Sequence, residues 1–291
     1  MTTAELSRYA IDVSDIEYLR HGDKPLLARV YKPRGTGPFP IVIDLHGGAW
    51  CKKDRTSDAG TDEPLAKSGV VVVALDFRMP PEAKYPASLA DINYAIRWCK
   101  SRAAEWNARA DRVGILGVSS GGHHAMLAAM RPADPRYTAI KLAGNDKLDA
   151  SVRCAVMCWP VIDPLGRYQY AKSLLPNTDP KMTKTAEEWI SCHDKYWTDE
   201  AEMTEGNPTL LLERGEKVQM PPVLYLQGTA DIAHPKPNRD QFIASYRKAG
   251  GRVDLHLFEG VGEAFITNDP TSQAACDAID KIVEFVHREM D

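Results

Sequence analysis

The chain has 291 residues, 44% hydrophobic and 26% charged, with 36 basic against 40 acidic side chains and a formal net charge of −4. That length suffices for one large α/β domain whose core needs no disulfide staples. The balanced charge offers no footprint for nucleic acid or an anionic membrane, which leaves a small molecule as the expected partner.

The opening MTTAELSRYAIDVSD has no basic segment followed by an apolar run, and no apolar stretch reaches spanning length. Neither a secretory leader nor a membrane span is expected, and a cytoplasmic protein is. Residues 16–19 and 27–31 read as an antiparallel hairpin at a sheet edge. Short apolar runs follow at Ile41–Leu45, Val70–Leu75, Val113–Leu116, Cys154–Trp159, Val223–Gln227 and Val253–Phe258, each suited to a strand buried on both faces. Between them, helical patterns cover Ala87–Glu105, Gly122–Met130, Asn238–Lys248 and Ser272–Arg288. Such alternation predicts a mostly parallel sheet with helices on both faces.

One stretch breaks the rhythm. From Trp159 to Leu210 the chain is rich in aromatic, proline and charged residues and has no strand signal. It reads as an insertion, at about 160–210 of a single 1–291 domain, capping the C-terminal ends of the strands where α/β sheets bind ligands. The six cysteines (51, 99, 154, 158, 192 and 276) are scattered, and Cys154 and Cys158 lack the spacing of a zinc or redox pair. Free thiols and no metal are expected.

Three motifs carry chemistry. Gly117-Val118-Ser119-Ser120-Gly121-Gly122-His123 sits between a strand and a helix. A serine on that sharp turn is pushed out above the sheet, with a helix N-terminus beneath it to favour negative charge. His46-Gly47-Gly48-Ala49-Trp50 follows a strand and, with the N–H of Ser120, supplies backbone donors for an oxyanion. The oxyanion hole is therefore assigned to Gly47, Gly48 and Ser120, with His46 shaping the loop. Asp231, in Gly228-Thr229-Ala230-Asp231 after a late strand, suits the acid of a triad in the order serine, then aspartate.

These motifs, together with DFRMPPEAKYPASLADINYAIRW, PPVLYLQGTADIAHP and VDLHLFEGVGEAF, resemble the α/β-hydrolase superfamily. Within it they look like the hormone-sensitive-lipase-like carboxylesterases, over nearly the whole chain. The resemblance implies an eight-stranded sheet, no cofactor, and hydrolysis of a carboxylic ester or, in some members, an amide. It also exposes a departure. The family's last motif reads Gly-x-Gly-His-x-Phe, with the histidine as general base, whereas here Gly260-Val261-Gly262-Glu263-Ala264-Phe265 puts Glu263 in that place.

A carboxylate titrating near pH 4.3 is a far weaker base than imidazole near 6.5, so Glu263 predicts impaired or altered turnover. His123 and His124 fall in the nucleophile helix and read as structural. His256 lies within a strand, His21 and His287 near the edges, and His193 in the insertion. His234, three residues after Asp231, is the candidate substitute base. Two other readings stay open: a ligand-binding protein on a hydrolase scaffold, as in the plant gibberellin receptors, and a lyase or isomerase using the Asp231/Glu263 pair.

Overall fold

The computed structural model describes residues 8–145, 147–175 and 178–291; the first seven residues, part of the stretch read for a leader, lie outside them. Eight strands form one sheet in the order β1-β2-β4-β3-β5-β6-β7-β8. The edge hairpin β1 (Ile11–His21) and β2 (Lys24–Pro33) is antiparallel, and β2 is antiparallel to β4 (Val71–Leu75). From β4 onward every pairing is parallel, through β3 (Phe39–Leu45), β5 (Ala108–Val118), β6 (Ala155–Cys158), β7 (Val223–Gly228) and β8 (Val253–Phe258). The expected strands are all present. The two hairpin strands extend beyond their apolar cores because each holds the other's polar residues in register, and β5 extends back to Ala108, opposite Phe39, across an irregularity in its pairing with β3.

The central strands are buried on both sides, which their continuous apolar sequence requires. Alternate residues feed two cores. Ile41, Ile43, Val71, Val73, Val113 and Ile115 face one side, where α2 (Ala87–Arg102), α3 (Ser120–Met130) and α8 (Lys236–Lys248) pack. Val42, Val72, Leu116 and Leu224 face the other, covered by α1 (Ala59–Lys67) and α10 (Gln273–Met290). Helix α1 has no counterpart in the apolar patterning: it carries Pro64 and buries Asp62 and Thr61 beside Leu65 and Ala66.

Four helices lie between β6 and β7: α4 (Pro164–Ser173), α5 (Pro180–Tyr196), α6 (Glu200–Glu205) and α7 (Pro208–Glu213). Each starts from an aspartate or asparagine whose side chain accepts a backbone N–H of the first turn: Asp163, Asp179, Asp199 and Asn207. In three of them proline follows at once, pre-set for the first helical position. The stretch without strand signal is thus helical. A single turn, α9 (Phe265–Asn268), follows β8. No helix among the described residues is long and apolar enough to cross a membrane.

Strand β3 pairs with β4 on one side and β5 on the other, so the chain order of the sheet reverses there. The C-terminal ends of β3 and β5 lie at that switch point, the place where open α/β sheets bind ligands.

Candidate active site

Ser119 closes β5 and opens α3, with φ 53° and ψ −115°, a conformation that side chains rarely adopt. The turn is pinned on both sides: Ser119 N–H donates to Cys158 O at 2.9 Å, and Ser119 O accepts from Val161 N at 3.0 Å. Strain of this kind persists where the surroundings over-determine it. Gly121 shows why: a Cβ there would sit 1.9 Å from Leu45 O, so only glycine lets α3 start this close to β3.

The loop after β3 approaches the serine closely. A Cβ on Gly47 would meet Ser119 Cβ at 3.2 Å and Val118 O at 3.0 Å, and Gly48 has φ +98°. The backbone N–H groups of Gly47 and Gly48 donate to no acceptor among the described residues. Trp50 N–H donates to Ser120 Oγ at 3.0 Å, tying this loop to the turn at Ser119. His46 is buried, stacks on Phe77 with centroids 4.4 Å apart, and its Nδ1 lies 2.8 Å from Gly47 O.

The imidazole next to Ser119 is that of His234. His234 Nε2 lies 3.2 Å from Ser119 Oγ, and His234 Nδ1 lies 2.9 Å from Asp231 Oδ2. His234 and Asp231 are almost fully enclosed, with side-chain exposures of 2% and 0%. The three-residue spacing works because Asp231 turns the chain on itself: its Oδ1 accepts Ala233 N–H at 2.8 Å and His234 N–H at 3.1 Å. Gln227 steadies the turn from β7, donating from Nε2 to His234 O at 2.7 Å and to Asp231 Oδ2 at 3.3 Å. Burial alone would raise the Asp231 carboxyl, but the His234 charge, its hydrogen bond and the two backbone donors together hold it below the ordinary range.

Glu263 is therefore not the group that meets Ser119. The loop after β8 still reaches the site, because Ala230 N–H donates to Val261 O at 3.0 Å and packs the two loops together. A carboxylate oxygen of Glu263, an imidazole nitrogen of His234 and a carboxylate oxygen of Asp231 lie within 4.8 Å of one another. That spacing could suit a cation. Both imidazole nitrogens of this group already have hydrogen-bond partners, Asp231 at Nδ1 and Ser119 at Nε2.

The remaining histidines are held elsewhere. His123 accepts Trp50 Nε1–H at Nδ1, 3.2 Å away, and its Nε2 is 2.8 Å from Gly206 O; burial brings it down to about 4. His124 Nε2 lies 2.8 Å from Tyr196 Oη, and burial pushes it well below its usual value. His256 stays in β8. The sequence patterning did not single out Arg167 of α4. It is buried, its guanidinium lies 4.8 Å over the Trp189 ring, and the charges of Glu263 and Asp231 oppose the downward pull of burial on it.

The helices between β6 and β7 press on the loop after β3. Trp50 stacks on Tyr196 at 5.4 Å and meets Trp197 and His193 edge-on at 5.7 and 4.9 Å. Tyr196 Oη in turn lies 2.6 Å from Ser88 Oγ on α2.

Known proteins resemble this chain in sequence and in fold. The BD-FAE family model matches residues 29–243. A probable carboxylic ester hydrolase of Mycobacterium tuberculosis, LipM, is 33% identical over 129 residues, 44% of this chain and 29% of that protein. Esterase LipC of the same organism is 25% identical over 92% of this chain and 64% of its own length, so the chain spans less than two thirds of these relatives. Among solved structures, an esterase of Pyrobaculum calidifontis superposes with a TM-score of 0.74 at 21% identity, covering 98% of this chain and 88% of that one. The metagenomic carboxylesterase EstE1 gives 0.75 at 22% identity, covering 99% and 93%. The chain belongs to the BD-FAE family and has the α/β-hydrolase fold of the hormone-sensitive-lipase-like carboxylesterases.

Proposed function

We propose that the protein is a serine carboxylesterase acting on a small or medium carboxylic ester, or an amide, with Ser119, His234 and Asp231 as its triad. The observation that carries this reading is the unbroken hydrogen-bond chain from Ser119 Oγ through both nitrogens of His234 to Asp231. His234 Nε2 takes the proton as Ser119 Oγ attacks the carbonyl carbon. Asp231 holds the Nδ1–H tautomer and stabilises the imidazolium that forms. The N–H groups of Gly47, Gly48 and Ser120 receive the oxyanion, fixed in place before charge develops. His234 then protonates the leaving alcohol, and the same steps with water as nucleophile release the acid from the acyl-enzyme.

The helices between β6 and β7 act as the cap, and their aromatic contact with Trp50 sets the wall beside the oxyanion loop. Glu263 modulates the pair from the side. The binder and lyase readings both drew on a missing imidazole, and His234 removes that support. The test is hydrolysis of a p-nitrophenyl ester together with fluorophosphonate labelling. Turnover should be abolished by Ser119→Ala, and the label should map to Ser119. A label on another residue, or turnover unaffected by Ser119→Ala, contradicts the reading.

A further inference from the structure

Arg167 is a buried cation whose hydrogen bonds are unmade. It sits on α4 and is 2% exposed. Its Nε and Nη1 are enclosed without a hydrogen-bond partner, and among the described residues its side chain joins no ion pair. The Trp189 ring covers one face of the guanidinium and leaves the in-plane donors unused. A charge buried without a bonded counter-ion is strongly unfavourable, so the missing partner needs a physical reason.

The surroundings supply one. Arg167 lines a narrow crevice with Val161, Asp163, His234 and Asn238. Val161 N–H holds Ser119 O, and His234 Nε2 faces Ser119 Oγ. The neighbouring charged groups are committed elsewhere. Asp163 accepts from Gly166 N–H and from Asn207 Nδ2–H, and Arg239 donates to Asp240. Asp231 is taken up by His234 and two backbone N–H groups. Neither Asp231 nor Glu263 bonds to the guanidinium, although both lie near enough for their charge to be felt there. The free space in the crevice is about 10 Å³, room for one water. A single carboxylate oxygen has that size, and a phosphate is too large.

We propose that Arg167 is a specificity-determining residue that binds a carboxylate carried by the substrate, so that the preferred ester is an anionic one. The inference rests on the esterase reading of this site. A guanidinium presents two parallel N–H donors to a carboxylate along either of two edges. Both edges include Nη2, which unlike the other two nitrogens is not fully enclosed. The pairing satisfies the buried cation and fixes how far the anion stands from the carbonyl that Ser119 attacks. A neutral ester leaves the guanidinium unpaired, and an unpaired buried group discriminates against that ester.

The test uses the full chain and two sets of esters. Monomethyl glutarate, adipate and suberate carry the anion on the acyl side; the acetates of 4-hydroxybutyrate and 6-hydroxyhexanoate carry it on the alcohol side. Each is compared with its neutral methyl ester, with products separated by chromatography. At least one anionic ester should exceed its neutral counterpart in kcat/KM by about ten-fold or more, chiefly through KM. Arg167→Gln should bring that ratio close to one, and Arg167→Lys should restore part of it. A merely structural role would lower anionic and neutral esters together and leave the ratio unchanged. Should Arg167→Gln fail to fold, Arg167→Met, which keeps the apolar stem against Trp189, takes its place. No preference for any anionic ester, or a preference that survives loss of the guanidinium, overturns the proposal. Turnover of p-nitrophenyl acetate reports separately on the esterase reading: its presence without a charge preference ends the carboxylate site alone, and its absence ends both.

Discussion

Asp231 and His234 form a self-contained acid–imidazole unit on one short turn: the carboxylate accepts both the backbone N–H and the ring Nδ1 of a residue three positions ahead. The resemblance to the hormone-sensitive-lipase-like carboxylesterases implies an imidazole in the loop after β8, where this chain has Glu263. Here one loop supplies both, and the loop after β8 brings Glu263 alongside them.

Asp231→Asn should leave the fold intact and lower kcat on the order of 10⁴-fold. The amide can present an N–H to the ring and favour the tautomer that cannot take the serine's proton. Steady-state kinetics on a p-nitrophenyl ester, with circular dichroism to confirm folding, measures it.

Restoring a histidine in the loop after β8 should not help. With His234 already on Ser119, Glu263→His adds an imidazole with no vacancy to fill, and no gain in kcat is expected. Glu263→Gln should likewise leave turnover of the same ester within about ten-fold, because this side chain is not the group that meets Ser119 Oγ.

Much of the fold and half of the site were legible in the sequence, for local reasons. Ser119 sits between a strand and a helix, and the steric demand on Gly121 leaves a fixed pattern. The loop of Gly47 and Gly48 is marked the same way. His234 was hard to read because its role depends on a side-chain turn, and Ala230-Asp231-Ile232-Ala233-His234-Pro235 differs little from any surface loop until Asp231 closes on it. The helices of the insertion were signalled by Asp163-Pro164, Asp179-Pro180 and Asn207-Pro208, a cap followed by proline, but amphipathic periodicity alone passes over such short elements. The place of Arg167 depends on tertiary packing and leaves no local trace.

The buried acids of β3 and the start of α1 should make stability fall with rising pH. Asp44, Asp58 and Asp62 are enclosed, and both carboxylate oxygens of Asp58 and Asp62 lack hydrogen-bond partners. Burial raises all three, Asp58 to about 6 against the opposing charge of Lys53. A carboxyl raised on folding costs nothing below pH 3.8, where both states are protonated, and costs progressively more as pH climbs from there through 6. Asp58 caps α1 without a side-chain hydrogen bond, so Asp58→Asn loses no cap. The variant should be more stable by at most about 3 kcal/mol at pH 8, with the difference gone at pH 3.5. Urea unfolding at the two pH values reports it.

Gly121→Ala should not accumulate as folded protein. Its methyl group would lie 1.9 Å from Leu45 O, a backbone atom of a central strand that cannot move aside. Soluble yield and thermal melting compared with Ala125→Gly, a cavity-type change in the same helix, separate this clash from ordinary destabilisation.

The most direct measurement compares kcat of His234→Ala and Glu263→Ala on one activated ester, with both variants verified as folded. His234→Ala should lose roughly 10⁴- to 10⁶-fold, as removal of a triad imidazole does, while Glu263→Ala should keep its turnover within about ten-fold. The reverse order, with His234→Ala still active and Glu263→Ala silent, would contradict His234 as the base.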